Sequence, residues 1–209
     1  MSAVEDGANG GTRRAIIDTA ARLFRERGFS DTTTRELGDA VGIRGPSIYH
    51  HFETKQDLLF GVCRESLRRL DEAMAQLPAD GSPEERIRAL IHIHVATIVR
   101  DRDLHAAMLI EMRALTGERR GAVIESRDAY ERLVRSPIEA AQAEGYIRDD
   151  MSPRQLTLFL LGLLNWTIFW FRESGALDAE HLADMLAELF LDGAAATSAR
   201  TIPPAAFEH

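Results

Sequence analysis

Residues 156–171 read LTLFLLGLLNWTIFWF, apolar almost all the way round a helix. A membrane span needs about 20 apolar residues. This run is shorter, holds Asn165 inside it and has charges close to both ends. A helix that is apolar on every face has to be buried on every face. One face can pack inside its own domain, and the other needs a partner. Residues 178–192 bring a second apolar surface with Leu182, Met185, Leu186, Leu189 and Phe190. Two such helices from each of two chains close a two-fold four-helix interface, so the pattern predicts a homodimer. The alternative is a monomeric bundle with 156–171 as its central helix.

The rest of the chain also reads as helix. Thr12 suits the N-cap of a segment running to about Arg27, with Ile16, Ala20, Leu23 and Phe24 on its inner face. A helix from near Thr54 to about Leu77 carries Leu58, Leu59, Val62, Leu67 and Leu70. After the break at 78–81, Ser82-Pro83-Glu84-Glu85 restarts a helix with an N-cap, a proline in the first turn and first-turn acids. It carries Ile87, Leu90, Ile91, Ile98 and Val99 toward Arg100. Helices over 102–115 and 118–144 follow, the second kinked at Pro137 and ended by Gly145. Ser152-Pro153 opens the apolar helix to Arg172, and Asp178 caps a last one to about Asp192. Nothing alternates with period two. The expectation is an all-α fold of about nine helices. It comprises a disordered arm at 1–11, a three-helix domain at 12–57, a larger helical domain at 58–193 and a flexible tail at 194–209.

Residues 34–58, TRELGDAVGIRGPSIYHHFETKQDL, carry the chemistry. Leu37, Ala40 and Val41 share one face of a first short helix. Gly42 closes it, because a tight helix end needs the left-handed conformation. Gly45-Pro46 opens a second helix, whose Ile48 and Phe52 point inward together. Arg44, Ser47, Tyr49 and His50 are left outside the core. A short helix that turns a donor-rich face outward after a glycine turn is the geometry of helix-turn-helix DNA recognition.

The stretch from Thr12 to Leu59 resembles the N-terminal DNA-binding domain of TetR-family transcriptional regulators. The matching features are Ala20, Phe24, Gly28-Phe29, Thr32-Thr33-Thr34-Arg35, Leu37, Val41-Gly42-Ile43, Ser47 through Phe52, Lys55 and Leu58-Leu59. The resemblance implies a homodimeric repressor on a palindromic double-stranded DNA operator. It also implies a small-molecule effector bound by the C-terminal domain.

Composition agrees with this once charge is read locally. The net charge is −8, but residues 12–57 hold eight basic against seven acidic side chains. A DNA-binding face needs only local positive potential. Arginine at the start of the reading helix offers the fork that pairs with guanine, so Arg44 is the first candidate for base readout. Gly45 and Pro46 let the backbone approach, and Ser47 serves a base or a phosphate. Tyr49 and His50 suit phosphates by analogy with the family. Thr33 and Thr34 begin a helix whose free amides form an anion site. Lys55, the sole lysine, would grip a flanking phosphate.

Cys63 is the sole cysteine, so no internal disulfide forms. With no apolar leader at the N-terminus and no membrane segment, the chain is expected in the cytoplasm. No phosphate loop, nucleophile elbow or paired-cysteine motif occurs, so no enzyme, metal or cofactor is expected. His92 and His94 diverge by about 200° on a helix. Histidines satisfied by hydrogen bonds in the core are the expectation there.

For the effector, Asn165–Gly193 resembles the C-terminal end of TetR-family regulators that sense acyl-CoA thioesters, and Arg113 with Arg127–Arg132 adds to the likeness. That resemblance implies an acyl channel at Tyr130, Asn165, Trp166, Phe169 and Trp170, with Arg113, Arg127 and Arg172 at the anionic end. A multidrug-type hydrophobic effector is the alternative.

Overall fold

The computed structural model describes residues 2–172 and 175–195, with side chains from residue 11 onward within those ranges. The chain order is α1 (Ser2–Arg27), α2 (Thr34–Val41), a 3₁₀ reading helix (Gly45–His50), α3 (Lys55–Met74), α4 (Pro83–Arg100) and α5 (Arg102–Glu111). A 3₁₀ turn (Met112–Ala114) leads into α6 (Gly117–Ala143), α7 (Pro153–Trp170) and α8 (Ala179–Ala194). Among the described residues no strand forms; an isolated antiparallel bridge joins Ile147 to Ala195, and the 3₁₀ helix Gly45–His50 is the one that the sequence reading expected to read DNA.

The helix starts follow their caps. Thr33 with Glu36, Thr54 with Asp57, Ser82 with Glu85 and Ser152 with Gln155 each form a capping box, satisfying two otherwise unpaired amides apiece. Asp178 caps α8 by accepting from the His181 amide. Some boundaries differ from the sequence reading. Thr12 lies inside α1 rather than at its N-cap. The side chains of residues 2–10, on which the expected arm falls, are outside those described, as are residues 196–209 of the expected tail. α6 continues through the buried Pro137, and α8 reaches Ala194, whose carbonyl accepts from the Arg148 amide at 2.8 Å.

Burial divides into two cores that meet on α3. The first joins Ile16, Ala20 and Phe24 of α1, Leu37 of α2, Ile48 and Phe52 to Leu58, Leu59, Val62, Cys63 and Leu67 of α3. It is closed by Leu104, Ala107 and Met108 of α5. The second begins at Leu70 and Met74 of the same helix and continues through α4, α6, α7 and α8. A domain of fewer than about 60 residues buries too little surface to be more than marginal alone. Residues 12–57 avoid that limit by packing on α3 and α5. Ion pairs reinforce the seam: Arg69 of α3 contacts Asp18 of α1, Glu65 and Asp101 before α5, and Arg25 contacts Asp103.

Within the motif, the structure replaces one expected inner residue. Ala40 is exposed, whereas Gly38 is buried. A Cβ on Gly38 would stand 2.7 Å from both the Cα and the nitrogen of Gly45, and 2.9 Å from the Ile43 carbonyl oxygen. The two helices therefore cross backbone to backbone, and Gly42 turns the chain at φ 79°. Introducing a methyl group there pushes backbone against backbone, which costs about 1–3 kcal/mol. Gly38→Ala should lower the unfolding free energy by that amount, and the urea midpoint with it, with a larger loss in DNA binding because the 3₁₀ helix is displaced. An unchanged midpoint would show that the crossing yields freely.

Candidate functional site

The surface expected from the sequence to meet DNA is built on that crossing. Arg44 is the N-cap residue of the reading helix, in extended conformation (φ −66°, ψ 138°), and is exposed with Pro46, Tyr49 and His50. Ser47 is half-buried and its amide donates to the Arg44 carbonyl at 2.8 Å. The Thr34 and Tyr49 hydroxyls lie 3.4 Å apart, joining the start of α2 to the reading helix.

Three of the expected DNA residues carry a structural duty as well. Gly45 is needed inward, since its Cβ would sit 3.2 Å from the Arg35 Cα. Thr33 is engaged with Glu36, whose carboxylate accepts from the Thr33 amide at 2.8 Å, so part of the expected anion site is filled internally. The Lys55 ammonium donates to the Ser30 carbonyl at 3.2 Å and lies 4.5 Å from the centre of the Phe29 ring. Partial burial draws its pKa below the usual lysine value.

At the seam between the two cores a cavity of about 160 Å³ opens between four helices. Leu67 and Leu70 of α3 and Met108 and Leu109 of α5 line it. So do Arg127, Asp128, Tyr130 and Glu131 of α6, and Arg154, Leu158, Leu161 and Asn165 of α7. Tyr130, Asn165 and Arg127 are thus brought together as the sequence suggested. Arg154 was missed, although Arg154, Leu158, Leu161 and Asn165 share one face at helical spacing. Arg113 is exposed on the 3₁₀ turn, and Arg172 lines a separate cavity of about 420 Å³ beside Arg102, Ile98 and Phe171.

The aromatic residues expected in the channel stand elsewhere. Trp166, Phe169 and Trp170 are 64%, 45% and 49% exposed and lie outside the cavity lining. With Phe159, they form an outward stripe on α7 beside Met185 and Leu189 of α8. Leu182, Leu186 and Phe190, expected at a subunit interface, are buried in the chain's own core. α8 sits on α4, which takes the face that the sequence had left free.

Behind the cavity wall lies a buried histidine of the kind expected from the sequence, with partners that the sequence did not name. His94 of α4 is fully buried, its Nδ1 2.6 Å from the Tyr130 hydroxyl and its Nε2 3.2 Å from Asn165 Oδ1. His105 Nδ1 is 2.7 Å from the Ser66 hydroxyl, while its Nε2 is buried without a partner. Burial pushes His94 down to about 4 and, with His94 nearby, His105 down to about 3. His92 points away, to Asp184 at 2.9 Å. Among the described residues no three His, Cys, Asp or Glu side chains could hold a metal ion, and no helix is long and apolar enough to cross a membrane.

Known proteins share this architecture. Residues 16–62 match the family model "Bacterial regulatory proteins, tetR family", and residues 80–194 match "Tetracyclin repressor-like, C-terminal domain". The HTH-type transcriptional repressor KstR2 of Rhodococcus jostii (strain RHA1) is 30% identical over 190 residues, 88% of this chain and 92% of the relative. The structure of AibR in complex with isovaleryl coenzyme A and operator DNA superposes with a TM-score of 0.78 at 28% identity, covering 85% of this chain and 97% of that one. PfmR from Thermus thermophilus gives the same score, identity and coverage. The chain belongs to the TetR family of DNA-binding transcriptional regulators.

The buried histidines set a pH dependence. In the unfolded chain each takes a proton near pH 6.5, whereas in the folded chain each stays neutral to about 4 and 3. The unfolded state therefore binds more protons across this window, and stability falls as pH drops below about 6.5. The exposed His181, held by Asp178, shifts the opposite way, and water screens its contribution. Stability should fall by about 2 kcal/mol per buried histidine between pH 7.5 and pH 5. Urea unfolding across that range checks it; a flat profile would mean that the histidines are not buried neutral.

Proposed function

We propose that this TetR-family member is a homodimeric repressor released from a palindromic operator by an acyl-CoA thioester. The observation that carries the effector reading is the cavity between α3, α5, α6 and α7. Its floor is apolar, its wall offers Tyr130 and Asn165, and Arg127 and Arg154 stand at its lining. At about 160 Å³ it is smaller than the roughly 300–1,000 Å³ of a typical ligand pocket. It therefore takes the acyl part of the ligand, and the phosphates stay outside with the arginines, which pair well with phosphate. The AibR complex with isovaleryl coenzyme A supports this reading. Asp128 and Glu131, also in the lining, favour a second reading, a cationic hydrophobic effector.

The dimer reading rests on the exposed stripe. Phe159, Trp166, Phe169 and Trp170 on α7 and Met185 and Leu189 on α8 are large apolar side chains left exposed, the composition that marks an interface. A four-helix contact would cover them. This assigns Trp166, Phe169 and Trp170 to the partner chain rather than to the ligand, and narrows the α8 contribution to Met185 and Leu189.

Arg44 reads a base, and Pro46, Ser47, Tyr49, His50 and Thr34 complete the surface against the groove. Loss of a bidentate arginine contact costs about 1–3 kcal/mol at one base position. Arg44→Ala should remove operator preference and leave the dimer intact. Leu189→Glu, at an exposed position, should give folded monomers that lose operator binding, since two half-sites lie about 34–36 Å apart. Titration on operator and random duplex, with light scattering, decides; a dimeric Leu189→Glu variant places the interface elsewhere.

The effector reading is tested by a thermal-shift panel of acyl-CoAs, the free acids and cationic hydrophobic drugs. A ligand at 100 times its Kd stabilises the folded state by about 2.7 kcal/mol. Acyl-CoAs should raise the midpoint and dissociate the operator complex, free acids should do so poorly, and Arg127→Ala or Arg154→Ala should weaken the CoA response. Stabilisation by cationic drugs alone would transfer the assignment to the second reading.

A further inference from the structure

The hydrogen bonds around His94 determine what the cavity wall can offer a ligand. Asn165 Oδ1 faces His94 Nε2 at 3.2 Å. An amide oxygen only accepts, so the proton of the neutral imidazole is on Nε2. Nδ1 is then bare, and across 2.6 Å it accepts from the Tyr130 hydroxyl. The string runs in one direction: Tyr130 donates to His94, and His94 donates to Asn165. His94 cannot rotate out of this arrangement, being fully buried, and burial keeps it neutral at physiological pH. Its ring is a fixed relay between two cavity-lining side chains.

The consequence falls on Asn165. With its oxygen committed to His94, its amide nitrogen is left with two N–H donors that make no hydrogen bond to the described residues and can turn to the cavity. Tyr130, having spent its proton on His94, offers its oxygen lone pairs. Asn165 lies at the α7 wall of the cavity, one and three turns beyond Leu161 and Arg154 on the same face. The wall thus carries a donor on the α7 face that also presents Leu161, Leu158 and Arg154 to the cavity.

We propose that His94 is a positioning residue that fixes Asn165 as a hydrogen-bond donor, so that the cavity selects ligands with a carbonyl acceptor where the acyl part begins. In an acyl-CoA this acceptor is the thioester carbonyl. The inference rests on the effector reading above and deepens it. The same apolar chain joined through a methylene has nothing to accept the amide protons, and it leaves a desolvated donor unpaired. Discrimination by a polar group comes mostly from that unpaired state.

The discriminating pair of probes is a short-chain acyl-CoA and its S-alkyl thioether, which differ only in the carbonyl. Calorimetric titration of the full-length protein should give about three- to tenfold weaker binding of the thioether. Asn165→Leu and His94→Phe should bring the two affinities together, the first by removing the donor and the second by releasing its orientation. Any general loosening of the cavity weakens both probes alike and leaves their ratio unchanged, so the ratio separates positioning from packing. Should His94→Phe fail to fold, nitrogen-15 shifts of the wild-type histidines read the tautomer directly. A proton on Nε2 of His94 is expected, and one on Nδ1 overturns the relay. Equal affinity of the wild-type protein for thioester and thioether overturns the inference and leaves the effector reading standing. Binding of neither probe removes the effector reading and the inference with it.

Discussion

The architecture depends on the burial of one helix by two different cores. α3 gives Leu58, Leu59, Val62, Cys63 and Leu67 to the DNA-binding core and Leu70 and Met74 to the effector core. Each fully buried leucine or valine contributes about 1.5–3 kcal/mol, so neither core releases the helix cheaply. Interiors are close-packed and deform as discrete repacking rather than smoothly. In the repressor reading, a displacement of Leu67 and Leu70 at the cavity is carried along α3 toward Lys55, its first residue. Arg69, tied to Asp18 of α1 and to Asp101 before α5, gives the same seam an electrostatic register. In the repressor reading, a ligand acts only through a difference in its affinity for the two arrangements of this seam.

The reading surface is held by absence of side chains as much as by their presence. Gly38 and Gly45 let two helices cross at backbone contact, and Gly42 supplies the left-handed turn between them. Ile48 and Phe52 then lock the reading helix from beneath, which leaves Arg44, Pro46, Tyr49 and His50 outward. The acidic balance of the whole chain is compatible with this because the potential that DNA meets is local.

The effector domain distributes polarity economically. Its buried histidines are neutral, and three of their four ring nitrogens have partners; His105 Nε2 is the exception. One of the partners, Asn165, reaches the cavity, so the same hydrogen bonds that satisfy the core also set the polarity of the site. The charges that could meet phosphate stay outside, where their solvation is not lost.

Local chemistry was legible in the sequence. The helix starts at Ser82-Pro83, Ser152-Pro153 and Asp178, the glycine turn and the period of apolar residues depend only on neighbours within a few positions. The DNA-facing residues followed, because they are what remains of a short helix once Ile48 and Phe52 are buried. Facts that depend on a distant partner were not legible. Gly38 is special because the backbone of Gly45 and Ile43 approaches it. Trp166, Phe169 and Trp170 read as channel residues because an apolar helix does not say which side meets its own domain. α8, by docking on α4, decided that Leu182, Leu186 and Phe190 face inward while Met185 and Leu189 face out with the tryptophans. His94, 36 residues from Tyr130 and 71 from Asn165, became a relay only when three helices met. Periodicity fixes which residues share a face, but the partner of that face is chosen by packing over the whole chain.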